Sequence, residues 1–140
     1  MQDWNRFFSG MGTEQPHLLP PLVLAYIGDA VYELMVRRHV LNRGFTRTDR
    51  IHKETVRYVS AGTQARVFMS IEGMLSEEEA GIARRGRNAK SAHFPRSADV
   101  ISYRRSTGLE CLVGYLFLRG DLDRLAWIME RIFSLVENED

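Results

Sequence analysis

The chain has little of several things that would fix its class at once. A single cysteine, Cys111, in 140 residues leaves no intrachain disulfide and no cysteine-built zinc cage, which suits a reducing compartment. Lying among Leu109, Leu112 and Val113, it reads as a buried thiol. No apolar stretch approaches the roughly 18–20 residues that span a bilayer, and Met1-Gln2-Asp3-Trp4 lacks the basic start and apolar run of a signal peptide. A soluble, cytoplasmic protein without membrane contact is expected. Nineteen Lys and Arg stand against eighteen Asp and Glu, so net charge neither requires nor forbids an anionic partner. The four prolines, Pro16, Pro20, Pro21 and Pro95, fall outside the long periodic segments, and no sustained Val/Ile/Thr alternation suggests a sheet.

What is present is helix. With 44% hydrophobic residues the chain can bury a real core, and a single domain over residues 1–140 is expected. Pro20-Pro21 opens an apolar pattern that runs to about Leu41 and stops at Asn42-Arg43-Gly44. Shorter helices follow at about Thr48 to Tyr58, Ala61 to Glu72 and Glu77 to Arg87, the last supported by a Ser76/Glu79 capping box. Another runs from about Ser106 to Leu118 and ends near Gly120. Asp121 then caps a final helix with Leu122, Leu125, Ala126, Met129, Ile132, Phe133 and Val136 as its apolar stripe. The acidic end, Glu137-Asn138-Glu139-Asp140, reads as a frayed terminus. The N-terminal Trp4, Phe7 and Phe8 could cover the core or join a dimer interface.

Two helices carry the same oddity. In Leu24-Ala25-Tyr26-Ile27-Gly28-Asp29-Ala30-Val31-Tyr32-Glu33 a carboxylate follows a glycine inside an apolar run. In Ser106 to Leu118, Glu110 is the one acid in a run punctuated by Gly108 and Gly114. A buried charge needs a partner, and a mid-helix glycine often marks close approach of another backbone. Helical spacing places Tyr26, Asp29 and Glu33 on one face and Thr107, Glu110 and Gly114 on the other helix's face. If the glycines let the helices cross closely, Asp29 and Glu110 converge, and two hard oxygen donors supplemented by water suit Mg²⁺ or Mn²⁺. Taken singly, capping or a salt bridge explains each acid better than a metal does. Their joint occurrence shifts that balance modestly.

These segments resemble the Mini-III family, compact bacterial relatives of ribonuclease III that have its catalytic domain without the double-stranded-RNA-binding domain. Leu24 to Glu33 is similar to the ribonuclease III signature helix, and Ser106 to Leu118 to its second acidic helix. Arg85-Gly86-Arg87-Asn88-Ala89-Lys90-Ser91 and Tyr103-Arg104-Arg105-Ser106-Thr107 also resemble Mini-III, and the likeness runs from about Leu19 to Val136. The resemblance implies an all-α ribonuclease III endonuclease-domain-like fold and a two-fold homodimer. It also implies Mg²⁺-dependent hydrolysis of double-stranded RNA, with Mn²⁺ as a substitute, and maturation of precursor 23S ribosomal RNA. By position the signature Asp falls on Asp29 and the second-helix Glu on Glu110. Two further acids of full-length ribonuclease III are replaced, one by Ala25 and one by Thr107, a reduction that Mini-III sequences share.

Asp29 and Glu110 are therefore the expected metal ligands and catalytic residues, with metal-bound water as nucleophile. Thr107 and Glu33 are candidates for the surrounding shell, although Arg37 makes a structural ion pair an equal reading for Glu33. His17, His39, His52 and His93 have no ligand spacing and are expected in surface or structural roles. For RNA, the expected groove is the cation run Arg84, Arg85, Arg87 and Lys90, with Asn88, continued by Arg96, Arg104 and Arg105. Gly86, Asn88, Ser91 and Pro95 suggest a loop there, reading shape rather than bases. A solvated helix end is the plain alternative. The competing functional readings are a non-catalytic RNA-binding or ribosome-associated protein of the same fold, and a purely helical dimerisation module.

Overall fold

The computed structural model describes residues 15–89 and 99–139, which form six α-helices and two short 3₁₀ turns, with no strand among them. After a turn at Pro16–Leu18 come α1 (Pro21–Asn42), α2 (Thr48–Val59) and α3 (Ala61–Ile71). A turn at Glu72–Met74 leads to α4 (Glu77–Asn88), followed by α5 (Val100–Arg119) and α6 (Leu122–Glu137). Trp4, Phe7, Phe8, Lys90, Ser91, His93, Pro95 and Arg96 lie outside the described residues.

Local chemistry explains most boundaries. Pro21 occupies the first turn of α1, where its missing N–H costs nothing, and the helix stops before Gly44, whose φ of +94° is left-handed. Ser60 ends α2 and begins α3, its hydroxyl accepting from the Thr63 N–H at 3.3 Å. The expected capping box is present: Glu79 N–H donates to Ser76 Oγ at 3.1 Å, and Ser76 N–H to Glu79 Oε1 at 2.8 Å. Glu79 is itself buried and receives a two-pronged bond from Arg124 of α6, at 2.8 and 2.9 Å. That bond, ahead of burial acting the other way, holds its carboxyl below the ordinary range.

Three boundaries differ from expectation. Helix α5 begins at Val100, six residues before Ser106, because the Asp99 carboxylate caps it through the Ile101 N–H at 3.1 Å. Its opening Val100 and Ile101 are exposed and form no core-facing stripe, which hides it from a pattern search. Asp121 stands at the cap position of α6 but its side chain makes no cap bond. There the chain turns instead through Gly120, φ +81°, with the Asp121 N–H returning to the Leu116 carbonyl at 2.9 Å. The stripe of α6 is also rotated: Ile128 is fully buried, whereas Leu122 and Ala126 are exposed.

The acidic end is not frayed through its described part. Glu137 closes α6 and forms an ion pair with Arg43 Nε at 3.5 Å, with His39 Nε2 3.3 Å away, while Glu139 pairs with Arg66. His39 also stacks on Phe133 with ring centroids 3.9 Å apart.

Helix α5 is the axis of the fold, buried almost without interruption from Ser106 to Leu116, with α1, α3, α4 and α6 packed around it. Two of these contacts are closer than side chains permit. A Cβ on Gly28 would lie 1.7 Å from the Glu110 carbonyl oxygen, and one on Gly114 would lie 2.0 Å from that of Leu24. Helices α1 and α5 thus run antiparallel at backbone contact. On the other flank a Cβ on Gly86 would meet Cys111 Sγ at 2.5 Å, and one on Gly108 the Ala83 carbonyl oxygen at 2.8 Å. Gly86 and Asn88 therefore belong to helix α4, and the loop expected around them does not exist there. We predict that Gly28→Ala lowers stability by about 3 kcal/mol or more, because backbone on both sides must move. Gly81→Ala, with open space at its Cβ, should gain about 0.5–1 kcal/mol from helix propensity. Urea unfolding of the two variants checks both signs.

Candidate active site

The Gly28 crossing brings the two anomalous acids together. Asp29 is solvent-exposed on α1 and Glu110 is half-buried on α5. The Glu110 carboxyl lies within hydrogen-bonding reach of Asp29, and its pKa is pushed up from 4.5 to about 8, first by burial and then by the neighbouring Asp29 charge. Two carboxyls forced together in a partly desolvated crossing favour a proton or a cation between them. Tyr32, one turn beyond Asp29, lines the buried side. It is 1% exposed, its hydroxyl donates to the Tyr58 carbonyl at 2.7 Å, and burial and the Glu110 charge both raise its pKa. Sequence reading passed over Tyr32, although its three-residue offset from Asp29 was a usable signal.

The remaining site candidates separate. Thr107 is buried, and its hydroxyl donates to the Tyr103 carbonyl at 3.0 Å. Glu33 pairs with Arg37 at 3.0 Å on an exposed stretch of α1. Ala25 is buried beside the Cys111 thiol, so a methyl fills a position where a carboxylate would be desolvated. Cys111 is buried and donates to the Pro21 carbonyl at 2.8 Å, and burial, followed by the Glu110 charge, pushes its pKa up to about 12. Among the described residues no group of three or more His, Cys, Asp or Glu comes together.

The donor set nevertheless fits a hard divalent cation. It is all oxygen, it carries like charge that a cation would relieve, and one member opens to solvent. Two carboxylates leave most coordination positions to water and substrate oxygen, the usual habit of Mg²⁺.

The cations expected to form one groove are divided by helix α4. Arg85 turns toward the start of the chain, donating to the carbonyls of His17 at 2.6 Å and Leu19 at 3.0 Å. With the Cys111 thiol on Pro21, it ties the segment leading into α1 against α4 and α5. Arg84 and Arg87 lie toward α3, lining a hollow of about 280 Å³ with Phe68, Glu72 and Leu75. Arg105 of α5 reaches Met69 Sδ at 3.0 Å, and Arg104 and Asn88 are exposed.

A six-helix fold built around α5, two helices meeting it at glycines beside a facing Asp and Glu, makes the architecture of a ribonuclease III domain, and the family model so described matches residues 22–121. The crystal structure of a Fusobacterium nucleatum protein has the same fold, with a TM-score of 0.78 at 29% identity over 87% of this chain and 98% of that one. The Mini-ribonuclease 3 of Brevibacillus brevis is 45% identical over 91% of this chain and 95% of its own length. That of Symbiobacterium thermophilum is 44% identical over 91% and 98%. The chain belongs to the Mini-ribonuclease 3 family of ribonucleases.

The raised Glu110 carries a prediction for metal-free protein. Between its ordinary value of 4.5 and its folded value of about 8 the folded state binds more protons than the unfolded one, so stability falls as pH rises through that window. Melting in a chelator should therefore decline from about pH 5 to about pH 9, and Glu110→Gln should remove most of the decline. Equal slopes for both proteins would place the shift elsewhere.

Proposed function

We propose that the protein is a divalent-metal-dependent endoribonuclease acting on double-stranded RNA, with precursor 23S ribosomal RNA as its natural substrate. The convergence of Asp29 and Glu110 across the Gly28–Gly114 crossing carries this reading. Phosphodiester hydrolysis needs charge stabilisation on the phosphoryl oxygens, an activated water and help for the departing oxygen. A bound Mg²⁺ or Mn²⁺ supplies Lewis acidity for these. Asp29 and Glu110 would hold the ion, Asp29 from the solvent side and Glu110 from the crossing. Gly28 and Gly114 set their separation. Tyr32 packs the floor and excludes water behind Glu110, whose proton must leave when a cation takes its place.

Membership of the Mini-ribonuclease 3 family supports the duplex and ribosomal substrate. The surface of α1 supports the homodimer. Val23, Tyr26, Ala30, Leu34 and Leu41 recur along one exposed face, with Tyr26 81% and Leu34 69% exposed, and the stripe borders Asp29. A helix apolar on both its buried and exposed sides calls for a second covering surface. A two-fold pairing there sets two equivalent sites beside one duplex, one for each strand. Arg84, Arg87 and Arg104 remain available for phosphates. Arg85 does not, since its guanidinium is spent on backbone carbonyls.

Incubation of the purified protein with duplex RNA and Mg²⁺ tests the reaction. Asp29→Asn and Glu110→Gln, shown to be folded, should each lower cleavage at least about 100-fold while retaining RNA binding, the size of effect expected for lost charge stabilisation. Binding without cleavage by the unmodified protein would make it a non-catalytic RNA-binding protein. For the cations, Arg84→Ala and Arg87→Ala should each make the salt dependence of RNA binding shallower by about 1. Arg85→Ala should lower thermal stability and leave that slope in place.

A further inference from the structure

Charge is distributed along the chain far less evenly than its total suggests. Residues 37–57 hold seven Lys and Arg against two Asp and Glu, whereas the rest of the chain holds twelve against sixteen. The cation run at Arg84 to Lys90 is thus not the only basic stretch of the sequence. The structure folds the richer stretch into the end of α1, its connecting loop and most of α2. An otherwise acidic molecule carries one basic corner.

Part of this charge is used internally. Arg43 donates to Glu54 at 2.9 Å and to the Tyr58 hydroxyl at 3.0 Å, and Arg37 pairs with Glu33. The outward part is not. Arg38, Arg50 and Lys53 are exposed, and no described acid lies within salt-bridge distance of them. Arg47 reaches Asp49 at 3.2 Å, but the side chains are 72% and 68% exposed, and such a pair in water holds its cation weakly. Arg43, Gly44, Phe45, Thr46, Arg47 and Arg50 line an open hollow of about 240 Å³. The left-handed Gly44 shapes it, and the Arg43 guanidinium lies 5.5 Å from the centre of the Phe45 ring.

We propose that this corner is a second RNA-binding surface, one that takes the phosphate backbone of a duplex beside the cleavage point. Guanidinium forks match phosphate oxygens, and clustered exposed cations bind polyanions by releasing counterions. The hollow is shallow and rimmed by charge, which favours phosphates over an apolar peptide face. Its first residue, Arg43, stands fourteen residues beyond Asp29, about 21 Å along the line of α1 at 1.5 Å per residue. Contact at two separated points along one rigid helix fixes the angle of a duplex as well as its affinity. That function suits a site with only two acids, where orientation must come from remote contacts. The inference rests on the ribonuclease reading above.

The experiment compares the intact protein with its Arg47→Ala/Arg50→Ala/Lys53→Ala variant, whose changes are exposed and remote from both acids. Binding of a long RNA duplex is measured across a salt series in a chelator, with melting temperature as the control for folding. The variant should bind at least about tenfold more weakly near physiological salt, with a log–log salt slope shallower by about 2 to 3. Its Mg²⁺-dependent cutting of a duplex trimmed close to the cleavage point should stay within about twofold of the unmodified protein, since the surface acts on flanking backbone. A folded variant with an unchanged slope, while the unmodified protein binds and cuts duplex RNA, overturns the second surface and leaves its cations to an acidic protein. An unmodified protein that neither binds nor cuts duplex RNA overturns the ribonuclease reading, and this inference with it.

Discussion

The backbone contact between α1 and α5 is the constraint on which the site depends. A methyl group at Gly28 would sit 1.7 Å from a carbonyl oxygen of the opposing helix, and that oxygen belongs to Glu110 itself. Packing and chemistry are therefore one feature: the glycine that allows the crossing sits next to Asp29, and the carbonyl it meets belongs to the facing acid. Ordinary side chains at Gly28 and Gly114 would push the helices apart. The second glycine crossing, Gly86 and Gly108 between α4 and α5, holds the other flank of the central helix at similarly short range. Helix α5 is thus clamped on two sides, and Glu110 inherits its position from both.

The electrostatics follow from that geometry. A half-buried carboxyl facing an exposed one is unstable as a bare pair of anions, and the raised pKa of Glu110 expresses this. With no third acid nearby among the described residues, the pair would make a sparse set of donors for the proposed cation. Ala25 and Thr107 account for the sparseness, because each is buried where a charge would be costly. A sparse site transfers the burden of holding substrate to the rest of the surface. The cations available for that are scattered over α4, α5 and the α1–α2 corner.

Much of this was legible in the residues. The all-helical class, the capping box at Ser76 and the stop before Gly44 could be read from pattern and spacing, whereas spacing left the convergence of Asp29 with Glu110 conditional and the family resemblance supplied the pairing. What was hidden had physical causes. Helix α5 begins behind an Asp cap with Val100 and Ile101 exposed, so its first turns show no core-facing apolar stripe. Arg85 looks like its neighbours in sequence, and only the path of the chain at His17 and Leu19 shows that it binds carbonyls. The acidic end is held by Arg43, His39 and Arg66, partners about seventy to a hundred residues away. The basic corner spans two helices and a loop, and read helix by helix each cation passes for a solvated side chain.

The central claim is that Asp29 and Glu110 act as one site for a single divalent ion. Mn²⁺ binding measured by calorimetry on the unmodified protein, on Asp29→Asn and on Glu110→Gln tests it most directly. The account predicts saturable binding near one ion per chain in the unmodified protein, lost or weakened at least about tenfold in each variant, a cost of 1.4 kcal/mol or more. Binding that survives unchanged in either variant would contradict it.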